Sequence, residues 1–184
     1  SIFLALGTLS KNKIIRNFCK GYVFFFRGTP LLMQLYFVYY GLPQISRALT
    51  INNQFLAAFI AFGLNSSAYC CEIIRAAIQS IDKGQFEAGR SLGFSYVQTM
   101  RYFIIPQAVK NVLPALGNEF IVLLKETSIS GYIGIIDLTR GGDIIRGTTF
   151  DALLPLTVVA LIYLAIVMFF TKLMSILERR LRES

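Results

Sequence analysis

The chain has 184 residues, 55% of them hydrophobic and only 15% charged, with a mean hydropathy of +0.60 and a formal net charge of +8. So few charges exclude an ordinary soluble domain of this length and favour a membrane class. The basic balance does not point to nucleic acid, because the aromatics sit in apolar runs rather than among the lysines; cationic loops beside lipid-spanning segments explain it.

Ser1 to Ser10 (SIFLALGTLS) is apolar for ten residues, short of the roughly 20 that a spanning helix needs. It is expected to be the tail of a truncated first span. No basic stretch precedes it and no cleavage site follows, which argues against a signal peptide. Residues 11–27 place Ile14, Ile15, Phe18, Cys19, Tyr22, Phe25 and Phe26 on one helical stripe, with Lys13, Arg16 and Lys20 off it. That is the pattern of an elbow helix lying flat in the cytosolic interface. Gly28 and Pro30 end it and let a new helix begin, since proline is tolerated in a first turn. A continuous kinked span is the alternative.

Charge-free windows mark the spans. Between Arg27 and Arg47 lie 19 uncharged residues, between Arg47 and Glu72 lie 24, and between Asp151 and Lys172 lie 20. Each is long enough to cross a hydrocarbon core of about 30 Å as a helix. A fourth window, Asn111 to Ile136, is mostly apolar but contains Glu119, Lys125 and Glu126. With the first segment, the expected fold is an all-α membrane protein of about five transmembrane helices. The segments 11–27, 72–110 and the tail after Thr171 hold 14 of the 18 basic residues, and the alternate loops hold three. Positive residues stay cytosolic, so the C-terminus and residues 72–110 are expected inside. Cys19, Cys70 and Cys71 make no CxxC pair and no metal spacing, and read as small buried hydrophobes.

Within the cytosolic segment, Asp82 is positioned to cap a short helix through Phe86, Glu87 and Arg90, where Glu87 and Arg90 are spaced to pair. Gly93 breaks that helix. Ser95 caps a second one, running through Val97, Met100, Arg101 and Ile104 and ending before Pro106. Two short helices joined at an angle, with Phe86, Leu92 and Phe94 as apolar knobs, suit docking in a partner's groove.

The fourth window poses a different question, because charges in hydrocarbon are costly and should face protein or a wet cavity. Glu119 and Glu126 share one helical face and Asn118 and Lys125 the adjoining one, a wedge continuing to Thr127, Ser128 and Ser130. Asn65, Tyr69 and Glu72 form a second polar stripe, and Met33 and Gln34 are candidates to complete a wall. A translocation path for a zwitterion needs both charge signs and several hydrogen-bonding groups in place of lost water. The expected path residues are Met33, Gln34, Asn65, Tyr69, Glu119, Lys125, Glu126 and Ser128. The opposing reading makes these charges structural, satisfied by one another or by a neighbouring helix.

Glu87-Ala88-Gly89, then Gly93 four residues after Gly89, then Pro106, resembles the EAA signature of ABC-transporter permeases: EAA, three residues, G, nine residues, I, one residue, LP. The chain departs from it at Gly89 for the second alanine, Phe103 for the isoleucine and Ile105 for the leucine, with the spacing intact. RGTPLLMQLYFVYYGLP, NSSAYCCEIIRAAIQSIDKGQFEA and GNEFIVLLKETSISGYIG look like the polar amino-acid uptake branch, whose members carry histidine, glutamate, glutamine, arginine or opines. The resemblance covers residues from about Lys11 to Leu181. It implies a type I importer transmembrane domain over residues 1–184, with residues 82–107 as a cytosolic coupling loop. Phe86, Glu87, Ala88, Gly89, Leu92, Gly93, Phe94 and Pro106 would then meet an ATPase.

The resemblance further implies a cytosolic ATPase dimer that holds ATP and Mg2+, a second permease chain, identical or paralogous, and an extracytoplasmic solute-binding protein. This chain would have no cofactor, metal or catalytic residue of its own. There is no GxxxxGK[ST] stretch, so ATP hydrolysis through a P-loop is excluded here. An ion-coupled secondary transporter, with Glu126 as carrier, is the alternative. An intramembrane enzyme has little support, as no histidine, metal-spaced set or nucleophile–base pair is present.

Overall fold

The computed structural model describes residues 1–183, with side chains through residue 180. Every regular element among the described residues is helical. In order these are α1 (Ile2–Thr8), α2 (Lys13–Gly28), α3 (Leu31–Tyr36), a π-turn (Phe37–Gly41), α4 (Leu42–Ile45), a 3-10 turn (Arg47–Leu49) and α5 (Gln54–Gln79). There follow α6 (Lys83–Ser91), α7 (Tyr96–Thr99), a π-turn (Met100–Ile104), α8 (Ile105–Glu126), a 3-10 stretch (Thr127–Ile133), α9 (Leu138–Thr149) and α10 (Leu153–Glu183).

The chain forms two compact units. The first comprises residues 1–24, 67–119 and 174 onwards. Its core is Ala5, Val23 and Cys71, with Leu4, Tyr22 and Ile74 against it. Small residues let these helices approach: a β-carbon on Gly7 would lie 2.4 Å from the Cys19 sulfur. The Tyr22 and Ser67 hydroxyls share a hydrogen bond of 2.7 Å, so the polar end of the tyrosine is satisfied as well.

The second unit comprises residues 25–66 and 120–173. Leu35 and Val38 pack on the alanine face Ala57, Ala58 and Ala61 of α5, and Ile133 and Ile135 close the cluster. Alanines at i, i+1 and i+4 bring backbones close, the way apolar helices gain packing when no hydrophobic drive separates them from lipid.

Among the described residues two helices, Gln54–Gln79 and Leu153–Arg180, are long and apolar enough to cross a membrane. Only 6% of the most apolar window of α10 is buried within the chain, against 33% for α5. Such a bare apolar surface requires lipid or another chain to cover it. The other expected windows are also helical but interrupted. Leu31 to Ile45 is one helical run with a π-turn in its middle, and α8 is diluted by Gln107, Lys110, Asn111, Asn118 and Glu119.

Gly28 and Pro30 separate α2 from α3, with Pro30 extended at φ −62° and ψ 136°. On α2, Cys19 and Val23 are buried while Ile14, Phe18 and Phe25 are exposed. Two other expectations differ from the structure. First, the helix after Ser95 does not end before Pro106 but continues into α8. Proline lacks an N–H and crowds the carbonyl four residues back. The π-turn at Met100–Ile104 contains that carbonyl, on Tyr102, and widening the helix there relieves the conflict. The turn at Phe37–Gly41 stands in the same relation to Pro43. Second, of the three free cysteines Cys19 and Cys71 are buried but Cys70 is only partly so.

Candidate functional site

The elbow of residues 82–107 lies in the first unit, and local chemistry accounts for its shape. Asp82 caps α6 by accepting from the Gly84 N–H at 2.7 Å. At the far end the Gly93 N–H donates to the Arg90 carbonyl at 3.0 Å and the Phe94 N–H to the Gly89 carbonyl at 3.2 Å. This pair of reversed bonds is a Schellman stop, which requires a left-handed residue after the cap. Gly93 supplies it at φ +84°. Ser95 and Gln98 then form a reciprocal capping box, the Ser95 N–H donating to Gln98 Oε1 at 2.8 Å and the Gln98 N–H to Ser95 Oγ at 3.3 Å.

The two arms of the elbow touch at Gly89. A β-carbon there would sit 2.7 Å from Thr99 Cγ2, and Thr99 is fully buried. This close approach is why glycine stands where the second alanine of the signature is expected. Phe86 packs edge-on against Tyr96 at 5.1 Å and Phe94 against Phe103 at 5.2 Å. Arg90 does not pair with Glu87; its Nη1 donates to the Phe94 carbonyl at 3.1 Å, bracing the turn. Asn111 Nδ2 donates to Ser80 Oγ at 3.2 Å, tying the end of α5 to α8.

The eight residues expected to meet a partner therefore divide. Glu87, Ala88 and Leu92 are exposed, Leu92 at 74%. Phe86, Gly89 and Phe94 hold the arms together, Gly93 makes the turn, and Pro106 lies in the first turn of α8. Val97, exposed at 70%, joins the outer face. Thr99 is the residue that sequence reasoning missed. A glycine inside a helix, worth about 1 kcal/mol less than alanine, was the signal that something presses on that position.

The expected path residues fall into both units. Tyr69 and Glu119 belong to the first, half-buried on α5 and α8. Glu72 forms an ion pair with Arg75 one turn along α5. In the second unit Gln34 and Asn65 meet as a buried clasp. Gln34 Nε2 donates to the Phe26 carbonyl at 2.9 Å and to the Thr29 carbonyl and hydroxyl at 3.0 and 2.8 Å. Asn65 Nδ2 donates to the same Phe26 carbonyl at 3.0 Å and to Gln34 Oε1 at 3.1 Å. These bonds satisfy carbonyls left open where α2 ends, so both amides are committed to backbone rather than presented to a solute. Met33 is exposed, Lys125 is exposed and Glu126 half-buried in the last turn of α8, and Ser128 follows on the 3-10 stretch.

Ser128 lines a cleft of about 730 Å3 in the second unit. Tyr39, Tyr40 and Tyr132 form aromatic walls, and Gln54, Thr139, Arg140, Asp143 and Arg146 supply polar groups. Gly131 and Gly134 let the wall close: a β-carbon on Gly134, at φ +90°, would meet the Gln54 amide nitrogen at 2.8 Å. The residues of α9 are held in place from behind. A β-carbon on Gly142 would lie 2.4 Å from Val159 Cγ2, and Thr139 Oγ1 and the Tyr163 hydroxyl are 3.1 Å apart. Sequence reasoning counted Arg140 and Arg146 only as loop charges, because their shared use of Asp143 depends on α9 being a helix.

Residues 1–183 match the family profile described as binding-protein-dependent transport system inner membrane component. Permease protein ArtQ of Bacillus subtilis, named for arginine transport, is 44% identical over 163 residues, covering 89% of this chain and 74% of that protein. GlnP of Rickettsia bellii, named for glutamine transport, is 40% identical over 181 residues, covering 98% and 82%. The crystal structure of an amino acid ABC transporter with histidines matches with a TM-score of 0.90 at 50% identity, over 97% of this chain and 82% of that one. An inward-facing MetNI methionine ABC transporter shares the fold at a TM-score of 0.75 and 19% identity, over 98% and 84%. With almost its whole length matched, this chain belongs to the family of binding-protein-dependent transport system inner membrane components.

Proposed function

We propose that the chain is the membrane-spanning permease subunit of a bacterial ATP-driven importer for polar amino acids. The observation that carries this is the capped, glycine-stopped elbow, with Glu87, Ala88, Leu92 and Val97 exposed on a rigid internal packing. A loop built so firmly around its own aromatics presents a preformed knob, which suits transmission of force better than a flexible linker does. Relatives named for amino-acid transport support the substrate class. In this reading the chain sits in the plasma (inner) membrane as a multi-pass protein of about five spans, with its C-terminus cytosolic. Its elbow docks on a cytosolic ATPase dimer that binds ATP and Mg2+. A second permease chain completes the pathway, and an extracytoplasmic solute-binding protein delivers the amino acid. The ATPase pair shifts the permease between access states because the elbow binds its open and closed forms differently.

The test is uptake by proteoliposomes carrying the assembled permease–ATPase complex, with its solute-binding protein supplied on the outer side. Uptake of L-glutamine or L-arginine should require ATP and survive ionophores that collapse ion gradients. Uptake that follows the gradient without ATP would overturn the reading.

Lys125, Glu126 and Ser128 remain the proposed solute-facing group of the wedge. Glu126→Gln removes a charge without changing volume. It should alter the ratio of L-arginine to L-glutamine uptake by about 10-fold or more, since a charge-assisted contact contributes about 1.5–3 kcal/mol. An unchanged ratio with a lowered melting temperature would make Glu126 a packing residue.

A further inference from the structure

A second polar constellation of this chain lies outside the wedge and outside the elbow. Asp143 stands between two arginines on one face of α9: Arg140 Nη1 donates to Oδ2 at 3.2 Å and Arg146 Nε to Oδ1 at 2.9 Å. One carboxylate shared by two guanidiniums leaves a net positive charge. Each guanidinium has five donors in a planar fork, and this arrangement occupies only part of them. Both arginines are about half exposed and both line the 730 Å3 cleft. As isolated surface pairs, such i,i+3 contacts contribute little to stability. Stability therefore does not explain why the trio is fixed at the cleft wall, with Gly142 pressed on Val159 and Thr139 bonded to Tyr163 behind it.

We propose that this cleft is a carboxylate-capture station for the transported amino acid, which meets the wedge at Ser128 and precedes Lys125 and Glu126. The proposal rests on the transport reading and on the charge distribution that puts residues 137–151 in an outer loop. The α-carboxylate takes the open edges of Arg140 and Arg146, a bidentate match that a guanidinium makes better than an ammonium does. Asp143 faces the α-ammonium, and Tyr39, Tyr40 and Tyr132 leave room for the side chain. The station thus recognises the zwitterionic head common to all amino acids and is tolerant of the side chain. Selection among side chains falls to residues deeper in the chain.

The experiment is equilibrium dialysis of radiolabelled L-glutamine and L-arginine with the purified permease–ATPase complex, without binding protein. L-glutaminamide and L-argininamide, which lack the carboxylate, serve as competitors. Wild type should bind both amino acids, with each amide at least about 10-fold weaker, the loss expected for one charge-assisted contact. Arg140→Gln with Arg146→Gln should weaken both amino acids about equally and abolish the preference over the amides. The Arg140→Lys, Arg146→Lys pair keeps the charge and should restore part of the binding but less of the preference. Glutamine-substituted complex that binds as wild type, or amides that compete as well as the acids, overturns the proposal. Unchanged amino-acid binding with loss of binding-protein-stimulated ATP hydrolysis also overturns it, by assigning the arginines to protein docking. ATP-driven uptake by a complex that binds neither amino acid overturns the station and leaves the transport reading standing. Absence of ATP-driven uptake is the failure of the transport reading itself.

Discussion

Gly93→Val is expected to leave the permease inserted and assembled with its ATPase, while binding-protein-stimulated ATP hydrolysis falls about 10-fold or more. Space does not decide the effect, because a β-carbon on Gly93 meets nothing within 4 Å. Conformation does. Gly93 sits at φ +84° inside a Schellman stop, and an ordinary L-residue resists that region by about 1–2 kcal/mol, a β-branched one by more. Helix α6 has only nine residues and is too short to hold by itself. Straining its stop favours states in which the Gly89–Thr99 contact is open and Leu92 and Val97 no longer share a rigid face. A cost of about 1.4 kcal/mol shifts such an equilibrium tenfold. The series at this position is therefore ordered. Asparagine, which tolerates positive φ, should retain most of the stimulation, alanine less and valine least. Stimulated hydrolysis at the wild-type rate in the valine variant would refute the elbow as the coupling element.

What the sequence revealed about this elbow, and what it concealed, follows from the range of the interactions. Asp82, Gly93 and Ser95 were legible because each bonds within a few residues along the chain. Glu87 and Arg90 have a spacing that permits pairing, but the Phe94 carbonyl, turned back by Gly93, stands where the guanidinium reaches first. Pro106 reads as an end because a proline removes an N–H and crowds the carbonyl four residues back; a π-turn absorbs that conflict here while Pro114 sits within α8, and no residue type announces which outcome follows. Hydropathy exposed α5 and α10, whose apolar runs are unbroken. The cleft stayed hidden because Tyr39, Gln54, Ser128 and Arg140 lie far apart in the chain and meet only through the packing of the second unit. Gln34 and Asn65 were found as polar residues in apolar helices, which is a reliable signal of purpose, but periodicity carries no record of which carbonyl an amide will find.

That last distinction leads to the other large effect: Gln34→Leu is expected to lower the melting temperature of the complex by about 5–10 °C. Of the five hydrogen bonds in the clasp, the substitution removes four, three donated by Gln34 and one accepted from Asn65. At about 0.6 kcal/mol for a polar contact between apolar helices, the loss is about 2–3 kcal/mol. A chain of this size shifts about 2–4 °C for each kcal/mol. Asn65→Leu removes two bonds and leaves the Phe26 carbonyl with its Gln34 donor, so its shift should be about half as large. Both residues are more than 90% buried, and their bonds close the gap between α2 and α3 at Gly28–Pro30. The clasp thus fixes the direction in which α3 leaves, and with it the place of Tyr39 and Tyr40 at the cleft. Substrate preference should consequently change little at temperatures where the variant stays folded. Had the two amides been walls of the path, the order of effects would reverse, with altered selectivity at an unchanged melting temperature; that outcome would return both residues to the translocation route.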